Sequence, residues 1–148
     1  MKLIKNLLIL SLTSVMFITT ACEDDDATES KPENATISGV VTFTGTYPDT
    51  GSVMLTLDTA YPPQGAPAGF KMIAQADLDN GSYVYSFSEL AFGDFAALTV
   101  TYWPNGYSTA SLDYTVLGSY PSSLIPPVPS FSLDEDNAEM TIDIDADF

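Results

Sequence analysis

From about residue 36 onward the sequence predicts an all-β fold, a seven-stranded antiparallel sandwich. Three observations lead there. Runs of five to ten residues rich in Val, Ile, Thr, Tyr and Phe recur along the chain, and most alternate apolar with polar side chains. Gly, Pro, Asn and Asp gather between the runs, and no stretch after residue 35 repeats apolar residues at helical spacing. Short alternating runs at regular intervals with turn residues between them are the pattern of stacked antiparallel sheets.

Each element has its own warrant. In the run 36–44, Ile37, Val41 and Phe43 share one face and Ser38, Thr42 and Thr44 the other, because successive strand side chains point to opposite sides. Residues 45–51, with Pro48 and Asp49, form a turn. The run 52–57 sends Val53, Leu55 and Leu57 inward, and the three prolines of 61–67 mark a long loop, since proline cannot serve a central strand. In 69–76, Phe70, Met72 and Ala74 alternate with Lys71, Ile73 and Gln75. Asp79-Asn80-Gly81-Ser82 reads as a tight turn, because Asn-Gly accepts the positive φ that a type I′ hairpin demands. Tyr83, Tyr85 and Phe87 are in phase along 83–90, and Phe92-Gly93-Asp94 turns the chain. Ala96, Leu98, Val100 and Tyr102 are in phase along 95–103, which ends at Pro104-Asn105-Gly106. The run 111–117 aligns Leu112, Tyr114 and Val116. Residues 118–130 are Pro- and Ser-rich and read as irregular, and 138–146 closes the series with Met140, Ile142 and Ile144 against Thr141, Asp143 and Asp145.

The first 35 residues differ in kind. Lys2 and Lys5 precede an apolar stretch, 7–18, interrupted only by Ser11, Thr13 and Ser14. A charged start, a short apolar middle and small residues at the end describe an export signal. The apolar middle is too short for a permanent membrane span of about 20 residues. Ile18-Thr19-Thr20-Ala21-Cys22 resembles the lipobox of bacterial lipoproteins. That resemblance implies a signal peptide at 1–21 and acylation of Cys22 as the first mature residue. Glu23-Asp24-Asp25-Asp26 resembles the surface-export signal behind the acylated cysteine in the Bacteroidota group, and equally suits a solvated tether. Residues 22–35 hold no large apolar side chain, so they form a flexible acidic linker. The expected location is the cell envelope, as an outer-membrane lipoprotein facing outward.

Charge and missing residue types narrow the chemistry. The chain carries a formal charge of −16, with no Arg and no His, and only Lys31 and Lys71 follow Cys22. Nucleic-acid binding needs phosphates neutralised by Lys and Arg and is excluded as an expectation. Membrane attachment then has to come from acyl chains on Cys22. Without His there is no Ser-His-Asp arrangement and no imidazole zinc site. With Cys22 acylated no thiol remains. The chain is expected to be non-catalytic and to need no cofactor, although a carboxylate pair stays chemically open.

Ile37-Ser38-Gly39-Val40-Val41 resembles the opening strand of carboxypeptidase-regulatory-like domains, also called transthyretin-like. Phe87-Ser88-Glu89-Leu90-Ala91-Phe92-Gly93-Asp94-Phe95 resembles that family's Phe-x-x-Leu-x-x-Gly-x-aromatic signature, and Asn105-Gly106-Tyr107 its Gly-Tyr turn. The resemblance spans residues 37–107. It implies a seven-stranded Greek-key sandwich of transthyretin-like or immunoglobulin-like kind, non-catalytic and acting beside other surface proteins.

Candidate ligand-binding residues are aromatic. Tyr61, Tyr102, Trp103, Tyr107 and Tyr120 fall near loop ends, where rings offer contact area at low entropic cost. Trp103 is the expected anchor, because it ends a strand where side chains leave the core. Two acidic segments compare poorly with metal sites. Asp77-x-Asp79-x-Gly81 lacks the later calcium ligands and reads as a turn, and Asp134-Glu135-Asp136-Asn137 reads as a solvated turn. No metal site is assigned. The expectation is a surface structural or interaction module with a protein or glycan partner. The alternative is a carbohydrate-binding accessory protein of an outer-membrane uptake system.

Overall fold

A computed structural model describes residues 30–107 and 113–148. The expected export signal 1–21, Cys22 and most of the expected acidic linker 22–35 lie outside the described residues. The fold is almost wholly β, with no α-helix among the described residues. Its strands are β1 (Ala35–Thr44), β2 (Ser52–Asp58), β3 (Gly69–Ile73), β4 (Ser82–Leu90), β5 (Gly93–Phe95), β6 (Ala97–Trp103), β7 (Thr115–Tyr120), β8 (Phe131–Leu133), β9 (Glu139–Thr141) and β10 (Ile144–Asp147). A single 3-10 turn, Gln75–Asp77, follows β3.

Two sheets share one core. In the first, β1 pairs antiparallel with β4 on one side, while β9 and β10 run parallel to it on the other. The second has the order β3-β2-β6-β7, antiparallel throughout. Ile37, Val41, Tyr85, Ile142 and Ile144 from the first sheet meet Val53, Leu55, Leu57, Leu98 and Val100 from the second. The alternation read along 36–44, 52–57 and 83–90 thus sets the inner faces. A two-stranded ribbon, β5 with β8, caps one end and buries Phe95 and Leu133.

Glycines mark where the sheets meet at their sides. A Cβ on Gly69 would lie 2.6 Å from the Phe87 ring, and one on Gly118 would lie 2.8 Å from Ile144 Cγ2. Strand β3 therefore presses on β4, and β7 on β10. The Asn80-Gly81 turn forms as expected, with φ of 49° and 82° and reciprocal backbone bonds between Asp79 and Ser82.

Four features depart from expectation. The last run does not join antiparallel but lies parallel to β1, in register from Val41↔Ile144 to Thr44↔Asp147. It is also broken in two at Ile142–Asp143. There the Asp143 carboxylate takes the Val40 N–H at 2.9 Å, and Tyr85 Oη donates to the Ile142 carbonyl at 2.6 Å. Of the expected 111–117 strand, residues 111 and 112 lie outside the described residues; β7 begins at Thr115 and runs on into 118–120, which had read as irregular. A register shift at Val100/Thr101 accompanies it and turns Leu117 to the core. Strand β8 arises where no strand was expected. Strand β3 ends at Ile73, because Asp77 Oδ2 accepts the Ala74 N–H at 2.8 Å and begins the 3-10 turn.

The strand directions define two ends. Ala35, Asp58, Leu90, Ala97, Tyr120 and Glu139 gather at the end where β1 begins. The loops 45–51 and 74–81 and the segments 104–107 and 113–114 lie at the other.

Candidate functional site

Alternation along β6 decides which aromatic residues can meet. Leu98, Val100 and Tyr102 point to the core side, so Thr99, Thr101 and Trp103 point to the outer face of the second sheet. Strand register brings Thr56 opposite Thr99 and Met54 opposite Thr101, with Phe70 and Met72 beyond them on β3. The outer face thus carries Phe70, Met72, Met54, Thr56, Thr99, Thr101 and Trp103.

That face is partly roofed. Met54, Thr99 and Thr101 are 2%, 3% and 6% exposed although they lie outside the main core. Trp103 packs at 4.7 Å against the Tyr114 ring and edge-on at 5.2 Å against Tyr107, and its indole N–H donates to Thr101 Oγ1 at 3.0 Å. Phe70 meets Tyr107 at 6.3 Å. Burial pushes the Tyr61 hydroxyl above its ordinary pKa, and the Tyr114 hydroxyl, to which it is hydrogen-bonded, and the Asp58 carboxylate push the same way. Tyr61 of the loop 59–68 and Tyr114, just before β7, therefore meet over this sheet.

Of the five candidate rings, Tyr61, Trp103 and Tyr107 come together on this face. Tyr102 points the other way and donates its hydroxyl to the Thr50 carbonyl at 3.1 Å. Tyr120 lies at the opposite end, edge-on to Phe131 at 5.3 Å. Trp103, the expected exposed anchor, is only 9% exposed, because Tyr107 and Tyr114 cover it. The exposed apolar strip is instead Phe70, Met72 and Tyr107, each close to half exposed. The Trp103 and Tyr107 planes cross at 84°, so they do not form a flat platform. Tyr114 and Phe70 belong to the cluster and were not among the candidates. Their periodicity was visible, but only the loops folding back make it an aromatic group.

Asp58 is the second notable feature. It ends β2 on the same outer face, 4% exposed, and Thr56 Oγ1 donates to its Oδ2 at 3.0 Å while also bonding Thr99 Oγ1 at 2.9 Å. Burial pushes its carboxyl above the usual range, and the Thr56 hydroxyl offsets part of that. A cavity of about 230 Å³ adjoins it, lined also by Thr59, Ala60, Gln64, Gly65 and Ala66. A carboxylate with so few donors suits a ligand that brings its own, such as a hydroxyl or an ammonium group.

The acidic segments are occupied structurally. Asp134 Oδ1 accepts the backbone N–H groups of Asp136 and Asn137 at 3.0 and 2.8 Å. Glu135 and Asp136 each lie 3.2 Å from Lys31. Asp79 accepts from Asn80 at 2.9 Å. Among the described residues no group of three or more His, Cys, Asp or Glu side chains converges as a metal site. The chain matches no protein-family model, no curated protein and no solved structure.

Proposed function

We propose that this chain is a lipid-anchored protein of the bacterial cell envelope, exported by residues 1–21 and acylated at Cys22. Its body, 36–148, is a seven-stranded Greek-key sandwich related to carboxypeptidase-regulatory-like domains, with β9 and β10 counted as one interrupted strand and the β5–β8 ribbon as an addition outside the two sheets. It acts as a non-catalytic interaction module on the outer membrane. The observation that carries the module reading is the uncharged strip Phe70, Met72 and Tyr107 on a chain of net charge −16. Exposed apolar area with neighbouring rings is the usual make-up of a contact surface. A test replaces Cys22 by Ser and follows membrane partition. Loss of partition, or an uncleaved precursor, supports anchoring; a mature-sized species still held in membranes refutes it.

The alternative, a carbohydrate-binding accessory lipoprotein, draws on Asp58 and Tyr61 beside the 59–66 cavity. A buried carboxylate with a tyrosine close enough to feel its charge suits sugar hydroxyls and C–H faces. Titrating the soluble domain with neutral oligosaccharides while following Trp103 fluorescence distinguishes the two. Saturable binding abolished in Asp58→Ala and Tyr61→Ala favours the glycan. A flat titration, with envelope partners lost on Tyr107→Ser, favours the protein-contact module.

A further inference from the structure

Ile125 is 79% exposed, more than any other large hydrophobic side chain among the described residues. It lies in the loop 121–130 that links β7 to β8. An exposed isoleucine alone needs no explanation, but its setting is unusual. No Asp, Glu, Lys or Arg occurs from Tyr114 to Leu133, in a chain with 20 acids. Pro121, Pro126, Pro127 and Pro129 also remove four backbone N–H groups from the loop. A segment poor in donors loses less on leaving water than an ordinary loop does, because each unpaired N–H in an apolar medium is costly. The base of the loop is fixed, with Tyr120 edge-on to Phe131 and Phe131 stacked on Phe95 at 5.8 Å.

Position supplies the occupant. Strand β7 ends and β8 begins at the same end of the sandwich as Ala35, where the chain arrives from the N-terminal tether. Lys31 holds that tether against Glu135 and Asp136, just beyond β8. Residues 23–34 can extend at most about 40 Å. An acyl group on Cys22 therefore keeps this end of the domain turned towards the bilayer and close to it.

We propose that the loop 121–130 is a second membrane contact, with Ile125 entering the boundary between headgroups and acyl chains of the bilayer that holds Cys22. Leu124 and Val128 flank it as supporting apolar groups. The inference rests on the lipidation of Cys22 proposed above. An acyl anchor plus a shallow apolar contact is a two-signal arrangement, and it fixes orientation as well as attachment. Glu135 and Asp136 at the same end make the contact favour zwitterionic over anionic lipid.

The test uses the full acylated protein in phosphatidylcholine vesicles, with an environment-sensitive fluorophore on Ile125→Cys. Val84→Cys is the control, because Val84 is 77% exposed near the start of β4, at the other end of the sandwich from the loop. Flotation with the vesicles reads the anchor, and fluorescence of the floated molecules reads the loop. The proposal expects blue-shifted emission at 125, quenched by lipid-borne nitroxide, with water-like emission at 84. It expects that difference to shrink as anionic lipid is added. Flotation with water-like, unquenched emission at 125 overturns the contact and leaves the anchor standing. Failure to float overturns both. A label shielded in native envelopes but water-like in pure lipid marks a protein partner at the loop, and also overturns the membrane contact.

Discussion

Gly39 offers the sharpest test of the parallel joint between the first and last strands. A methyl group there would fall well inside contact distance of the Ile142 carbonyl oxygen and 2.7 Å from its carbon. Both are backbone atoms, so no rotamer change relieves the clash, and Gly39→Ala must push β1 and the Ile142–Asp143 joint apart. Overpacking of this kind costs about 1–3 kcal/mol. The same displacement strains two hydrogen bonds, Val40 N–H to Asp143 at 2.9 Å and Tyr85 Oη to the Ile142 carbonyl at 2.6 Å. Such bonds contribute about 1 kcal/mol when neutral and about 1.5–3 kcal/mol when charged. Partial loss of both brings the total to about 3–5 kcal/mol, a large part of the roughly 5–15 kcal/mol that a domain possesses. At about 4 °C per kcal/mol for this size, the midpoint falls by roughly 12–20 °C. Gly65→Ala is the control, because nothing lies within 4 Å of a Cβ there; it should stay within about 0.5 kcal/mol of the parent. Thermal melts followed by circular dichroism decide. If Gly39→Ala melts within a few degrees of the parent, Ile142 does not lie against β1 and the parallel pairing is wrong.

Four further outcomes follow from the same geometry. Tyr85→Phe leaves the buried Ile142 carbonyl without its donor and should cost about 1–3 kcal/mol in urea unfolding; a neutral result would mean that water reaches that carbonyl. Asp58 has a folded-state pKa raised by burial, so its contribution is fully present below the ordinary carboxylate pKa of about 4 and is lost as pH rises through the folded value. Asp58→Asn should therefore melt higher than the parent at pH 7, with the gain vanishing towards pH 4; a gain that grows on acidification contradicts the burial. Lys31→Ala should leave the melting temperature unchanged, since its partners are solvent-exposed and such pairs contribute little. Trp103, the sole tryptophan, should emit as a buried indole, and Tyr107→Ala should shift that emission to the red; an unmoved spectrum means that Tyr107 does not cover it.

Much of the fold was legible where side chains alternate against a single core. Val53, Leu55 and Leu57, and Leu98, Val100 and Tyr102, face inward as their spacing predicts, because a one-residue slip would put the whole set in water. Asn80-Gly81 was legible for a local reason, its backbone conformation. Strand β8 was not, since three residues behind a proline-rich loop carry no period, and only pairing with Gly93–Phe95 makes them a strand. Parallel docking of the last run was equally hidden. Periodicity says which face is apolar, not which neighbour lies alongside or in which direction. The site divides in the same way. Tyr61, Trp103 and Tyr107 were visible as loop-end aromatics, whereas Asp58 read as one acid among 20 until the fold buried it.

The pairing of β1 with β10 also bears on when this domain can fold. The groups bonded across that joint, Val40 and Asp143, stand 103 positions apart. Ribosomes deliver the chain from its N-terminus, so β1 waits with an open edge until the segment 103 positions further on has been synthesised. Long-range closure of this kind is slow, and an uncovered edge invites pairing with other chains. For a polypeptide threaded through an export channel, as proposed above, that delay is an advantage. If the chain is exported in this way, the first sheet would stay open during translocation, and β10 would close it afterwards.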